Sequence, residues 1–332
     1  MIRRLAMLTV VVAAVAVGPA LHAYLKLGYE LNGQLIGLAW TKPVGYFVTN
    51  RNITGVTAAQ LQTAVAGALG EWGKPANVQL SSQFLGFTSV DPDIDDGLTV
   101  IGFRSRPDLD RTLGATSFEI DAVTGQFIGA VIFINSIFEW SVAAGGDATK
   151  FDLASVMTHE VGHLLGLGHS ALGETELRPG GGRVVLGKRA VMFPIAYPRG
   201  SVLDRTLQAD DIAGITDVYG DSESSRELGA ISGRVTLNGA GVFGAHVTAF
   251  NAASGALVSG FSLNNQGEFV IGALAPGVYI VRVEPLDDAD VDGFFDEDFP
   301  PNLNFRVTYY TKQVAVPKGG TSGSIEIKVR AK

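Results

Sequence analysis

Apolar residues recur at helical spacing in some parts of this chain and alternate with polar ones in others, and the change of period divides it. After Thr57, residues Leu61, Val65, Ala68, Leu69 and Trp72 share one helical face, with Thr57 placed as a cap and Gly73 and Pro75 as a stop. Short β-rich runs are predicted at residues 46–48, 98–103, 115–120 and 127–135, separated by Asp, Gly and Pro clusters. A second helix is predicted after Asp152, running through Val156, His159 and His163 to about Gly166. A third spans residues 209–219, with Asp210 and Asp211 in its first turn and Gly220 as its stop. Between these two, residues 171–188 contain Pro179 and Gly180-Gly181-Gly182 and read as a surface loop.

Beyond residue 221 the helical period disappears. Residues 221–229 are polar and suit a linker. Ile325, Ile327 and Val329 then alternate with Glu326, Lys328 and Arg330, and Tyr279, Val281 and Val283 alternate with Ile280, Arg282 and Glu284. Strand-length runs near Ile231, His246 and Phe269 complete a small all-β unit, for which a sandwich over residues 230–332 is expected. The fold class predicted is α+β, a mixed sheet with three helices over residues 40–220 followed by that sandwich.

Composition changes this picture in three places. A length of 332 residues exceeds what one core usually organises, which supports two domains. A net charge of −8 argues against a nucleic-acid partner, and seven of the acids crowd into residues 287–298. There is no cysteine, which excludes disulfides, thiolate metal ligands and a cysteine nucleophile. At the N-terminus, Arg3 and Arg4 precede an apolar run from Leu5 to Val17 and a small residue at Ala23. That order is the pattern of a secretory signal over residues 1–23, and the run is short of the ~20 residues of a membrane span. The expectation is an exported, extracellular protein with no stable membrane span after signal cleavage, beginning with an N-terminal segment at 24–39.

The segment from Thr158 to His169 carries the candidate chemistry. His159 and His163 are four apart on a predicted helix and therefore share a face. Glu160, one residue on, falls beside that point and suits a base for a metal-bound water. Gly166 allows a sharp turn, bringing His169 round as a third ligand. Three protein nitrogens leave one tetrahedral position open, the arrangement of a catalytic zinc. The chain has five histidines and three of them lie here.

With those residues in view, the chain resembles the metzincin metallopeptidases, and within them the matrixins. His159, Glu160, His163, Gly166, His169 and Ser170 are similar to the family's extended zinc motif, and residues 190–194 to its methionine turn. The resemblance implies a metzincin-type catalytic domain with one catalytic zinc on the three histidines and Glu160 as base. It implies Met192 as a hydrophobic floor, and Pro194 and Tyr197 on the wall of the substrate pocket. One of Asp210 and Asp211 would anchor the methionine turn. The implied activity is zinc-dependent cleavage of internal bonds in a protein or peptide substrate, held along an edge strand near residues 113–118. Residues 229–332 resemble carboxypeptidase-regulatory-like, or transthyretin-like, β-sandwich modules through residues 231–235, Phe269, Pro276, Gly277 and Tyr279. The partner of that module is left open.

The chain also departs from the family. Its strands lack the histidines of a second, structural zinc, and Asn135 and Ser136 stand where calcium-binding acids are frequent. No latency cysteine exists, and the stretch between Ala23 and Trp40 leaves no room for the usual pro-domain. Asp288, Asp290, Asp292 and Gly293 begin like a Ca2+ loop, but Phe299 stands where the closing glutamate belongs, so a solvated acidic loop is favoured. An inactive zinc-binding surface protein that uses its β-sandwich for adhesion, and another metzincin branch, stay open as alternatives.

Overall fold

The computed structural model describes residues 26–31, 34–92, 97–121, 126–177, 183–286, 295 and 300–332. The predicted signal segment and nearly all of the acidic 287–298 stretch, with its calcium-loop pattern, lie outside the described residues.

A short antiparallel hairpin, β1 (Gly28–Leu31) and β2 (Gln34–Gly37), precedes the first main unit. Its sheet is built from β3 (Val44–Thr49), β4 (Ser82–Thr88), β5 (Thr99–Arg104), β6 (Gly114–Ile120) and β7 (Phe127–Asn135), in the order β4-β3-β5-β7-β6. All pairings are parallel except β6 with β7, which leaves β6 as an antiparallel edge. β5 and the second half of β7 are near-continuous buried apolar runs, as strands covered on both faces require.

Helix α1 (Ala58–Trp72) begins as predicted: Thr57 and Gln60 form a capping box, and the predicted apolar face is buried. Trp72 then donates its indole N–H to the Thr158 carbonyl at 2.8 Å, tying α1 to the second helix. The two-residue strands β8 (Trp140–Ser141) and β9 (Phe151–Asp152) pair in parallel just before α2 (Leu153–Leu164). Asp152 caps α2 by accepting from the Ser155 N–H at 2.8 Å, and Arg205 holds the same carboxylate.

The expected loop at 171–188 is instead a hairpin, β10 (Gly173–Leu177) with β11 (Arg183–Lys188). The prediction weighed the glycine-rich centre, which falls between the strands, and passed over Thr175, Val184 and Val185 beside it. Helix α3 (Ala209–Tyr219) has the predicted bounds, and the polar stretch after it holds one short helix, α4 (Ser224–Glu227).

The remainder is all strand. One sheet contains β12 (Gly229–Leu237), β13 (Ala240–Gly241), β16 (Glu268–Leu274) and β20 (Ile325–Val329). The other contains β14 (His246–Asn251), β15 (Leu257–Phe261), β17 (Gly277–Glu284), β18 (Thr308–Tyr309) and β19 (Val314–Val316). Alternate residues of β17 and β20 are buried, and Ile231, Phe269 and Ile327 from one sheet join Val247, Tyr279 and Val281 from the other in one apolar cluster. Among the described residues no helix is long and apolar enough to cross a membrane.

Candidate metal centre

His159 and His163 lie one turn apart on α2, so their rings reach the same point. The helix ends at Leu164, and Gly166 reverses the chain with φ +91°, a conformation open chiefly to glycine. A Cβ at Gly166 would also stand 2.2 Å from the Leu38 carbonyl oxygen, so the turn and its neighbour both demand glycine. Three contacts satisfy the end of the helix. Trp40 Nε1 donates to Leu164 O at 2.7 Å, Tyr219 Oη donates to Leu165 O at 3.0 Å, and Leu27 N donates to Gly166 O at 2.9 Å. His169 follows on irregular chain.

The three imidazoles converge. Their ring centroids are 4.8, 5.5 and 4.8 Å apart, and one ligand atom from each lies within 4.8 Å of the others. Among the described residues no other trio of His, Cys, Asp or Glu side chains is so placed. His159 Nδ1 lies 2.8 Å from Val191 O and His163 Nδ1 lies 2.8 Å from Leu167 O, so each ring donates Nδ1–H and turns Nε2 to the cluster. Burial, then repulsion among the rings, pushes His163 down to about 3 and His159 well below its ordinary value. His159 and His163 are therefore neutral, the state in which imidazole binds a metal. Three imidazole nitrogens with no carboxylate among them fit zinc.

Glu160 is buried beside this cluster, and burial raises its carboxyl to about 7, against the lowering effect of Thr116. Thr116 Oγ1 donates to Glu160 Oε2 at 2.8 Å and lies 3.0 Å from Glu160 O. Sequence reasoning missed Thr116: its partner is 44 residues away, and only the packing of edge strand β6 over α2 brings them together. It missed Gly162 too. A Cβ there would stand 2.3 Å from Met192 Sδ and 2.6 Å from Trp72 Cζ2, so this glycine admits the methionine beneath the helix.

Met192 is buried in a turn that Asp211 holds through Val191 N at 2.8 Å and Met192 N at 3.1 Å. Asp211 is thus the aspartate on the methionine turn, and burial raises it to about 6. Asp210 faces elsewhere, accepting from Ser170 Oγ and from Ser259 N, and burial raises it to about 7. Pro194 and Tyr197 follow the turn, both half-buried, and Tyr197 Oη accepts from Lys188 N at 3.2 Å. Asn135 is fully buried; its amide nitrogen is 3.0, 3.0 and 3.1 Å from the carbonyls of Arg106, Leu109 and Thr112, so the loop is gathered by an amide.

Residues 39–179 match the matrixin family of M10 peptidases, a span that takes in all three histidines and Glu160. That span of the chain is matrixin-like. Metalloendoproteinase 1-MMP of Arabidopsis thaliana is 39% identical over 82 residues, which is 25% of this chain and 18% of that protein. Metalloendoproteinase 1 of Glycine max is 42% identical over 83 residues, 23% of this chain and 22% of its own. Metalloendoproteinase 2-MMP of Arabidopsis thaliana is 29% identical over 170 residues, covering 48% and 37%. Each relative is matched over well under half of its length. Among solved structures, the Bacillus anthracis TIE protein aligns with 32% of this chain and 17% of its own at 17% identity and a TM-score of 0.22. The matrixin match stops before Met192 and α3, which join the domain through the Val191, Met192 and Ser170 hydrogen bonds.

Proposed function

We propose that this chain is an exported zinc-dependent endopeptidase, with His159, His163 and His169 holding the ion and Glu160 as the proton carrier. The observation that carries this reading is the convergence of three imidazoles beside one buried glutamate. The plant relatives named metalloendoproteinases agree with it.

A bound zinc ion supplies Lewis acidity, polarising a carbonyl oxygen and lowering the pKa of a coordinated water towards ~7. The chain's own residues supply the rest. Glu160 takes a proton at its carboxylate and returns it to the departing amine, and Thr116 holds that carboxylate in place. A peptide lies extended along the free edge of β6 and pairs with its backbone, which places its carbonyl near Glu160. Met192 forms the floor under the ligands. Tyr197 and Pro194 line the pocket after the scissile bond, with the Tyr197 ring oriented by its bond to Lys188. Residues 1–23 direct export, and residues 230–332 form a separate β-sandwich domain.

The test is digestion of a denatured protein by the purified chain. Cleavage at internal bonds is expected, abolished by a chelator and restored by zinc, and Glu160→Ala should lose it while keeping stoichiometric metal. A wild-type chain that binds zinc yet cuts nothing would favour the adhesion reading instead.

A further inference from the structure

Two of the three proposed ligands stand on a helix, but His169 does not, and the chain directly after it is gripped on two sides. Ser170 N donates to Met192 O at 2.9 Å, which holds one side. On the other side the Ser170 hydroxyl donates to Asp210 Oδ2. Asp210, only 2% exposed, accepts at its other oxygen from the Ser259 backbone N–H at 2.7 Å, with Ser259 Oγ at 3.4 Å. Ser259 is fully buried on β15, in the C-terminal pair of sheets.

The next residue repeats the pattern. Ala171 is buried in a small apolar cluster whose other buried members, Phe261, Leu286 and Phe295, all come from the C-terminal part. A buried carboxylate bridging two serines and an apolar seat for the following residue are two independent holds on one short segment.

We infer that the C-terminal sheets are a working part of the metal centre, positioning His169 through Ser259, Asp210 and Ser170 and through the seat of Ala171. The inference rests on the reading that the three histidines hold zinc. Asp210 and Phe261 are positioning residues, acting on His169 through the chain that follows it. A buried acceptor without its donors, or donors without their acceptor, leaves unpaired polar groups, so the three-residue link holds its geometry or breaks as a unit. Losing an outer partner of a metal ligand typically weakens binding about 10–100-fold.

The experiment uses the full chain without substrate. Zinc affinity is measured by competition with a chromophoric chelator, and ligand geometry by the visible absorption of the cobalt(II) form. Asp210→Ala and Phe261→Ala are each expected to weaken zinc about 10–100-fold and to alter the cobalt spectrum. Asp210→Asn keeps an acceptor for Ser259 and a donor for Ser170, so it should return to within a few-fold of wild type. Wild-type affinity and spectrum in folded Asp210→Ala or Phe261→Ala would overturn the inference. Should Asp210→Ala fail to fold, Ser170→Ala breaks the same link by one oxygen, and unchanged zinc binding there overturns it equally. A wild-type chain without stoichiometric zinc would defeat the metal reading itself, before any variant is compared.

Discussion

Glycine at the centre acts through the space it leaves free. At Gly162, an added methyl meets the sulfur of Met192 and the ring of Trp72, both deep in the core. Gly162→Ala should therefore destabilise by about 1–3 kcal/mol, the usual penalty of overpacking. Thermal denaturation should show a midpoint lower by several degrees; an unchanged midpoint would mean that the methionine turn can retreat freely. Thr116 acts differently, as the donor that holds the Glu160 carboxylate. Thr116→Val keeps the shape and removes the donor. Turnover on a peptide substrate should fall about 10-fold with KM little changed, equivalent to about 1.4 kcal/mol from one hydrogen bond. Equal turnover in the two proteins would show that Glu160 needs no such support.

Helix α2 carries two of the proposed ligands and the proposed base, and both of its ends are held by distant elements. Asp152 caps the first turn and is itself gripped by Arg205, while Trp40 and Tyr219 satisfy carbonyls at the other end. Asp152→Ala should cost about 2 kcal/mol, the upper end for a lost cap, because the freed N–H groups are buried while Arg205 can still reach water. Urea denaturation measures it, and an unmoved midpoint would assign the start of α2 to packing alone. Much of this element was legible beforehand. The spacing of His159, Glu160, His163 and His169 and the Asp152 cap are local patterns, and a local period reads directly as a helix. The same holds for α1, with its apolar face and Thr57. Strand β4 was missed because Leu85 and Phe87 stand at its exposed positions, so apolar residues do not mark its inner face. The β10–β11 hairpin was read as a loop because glycines dominate its centre. Thr116 on Glu160 and Ser259 on Asp210 could not be read at all, since each joins side chains that only the packed elements bring together.

At the scale of the whole molecule the C-terminal part adds an acid sensitivity of its own. His246 is 3% exposed on β14, with Phe261 beside it, Glu284 Oε1 at 3.2 Å from Nδ1, and Arg282 on the same face. Burial first, and Arg282 second, hold this imidazole down to about 3 despite the carboxylate. The sign follows from proton counts. Below its ordinary value of 6.5 the unfolded chain binds a proton that the folded chain refuses until about 3, so the stability is complete above 6.5 and lost as pH falls between those values. The slope approaches ~1.4 kcal/mol per pH unit, so about 2 kcal/mol should be lost between pH 6.5 and 5. Glu160, Asp210 and Asp211 pull the opposite way, since their raised values let the folded chain hold protons first. Comparison with His246→Gln removes those shared contributions and keeps a donor for Glu284. Urea unfolding of both proteins at pH 7 and pH 5 should show the wild type losing ~2 kcal/mol more than the variant. Parallel pH dependence in the two would mean that His246 takes up its proton in the folded state, which the apolar wall of Phe261 and the neighbouring Arg282 oppose.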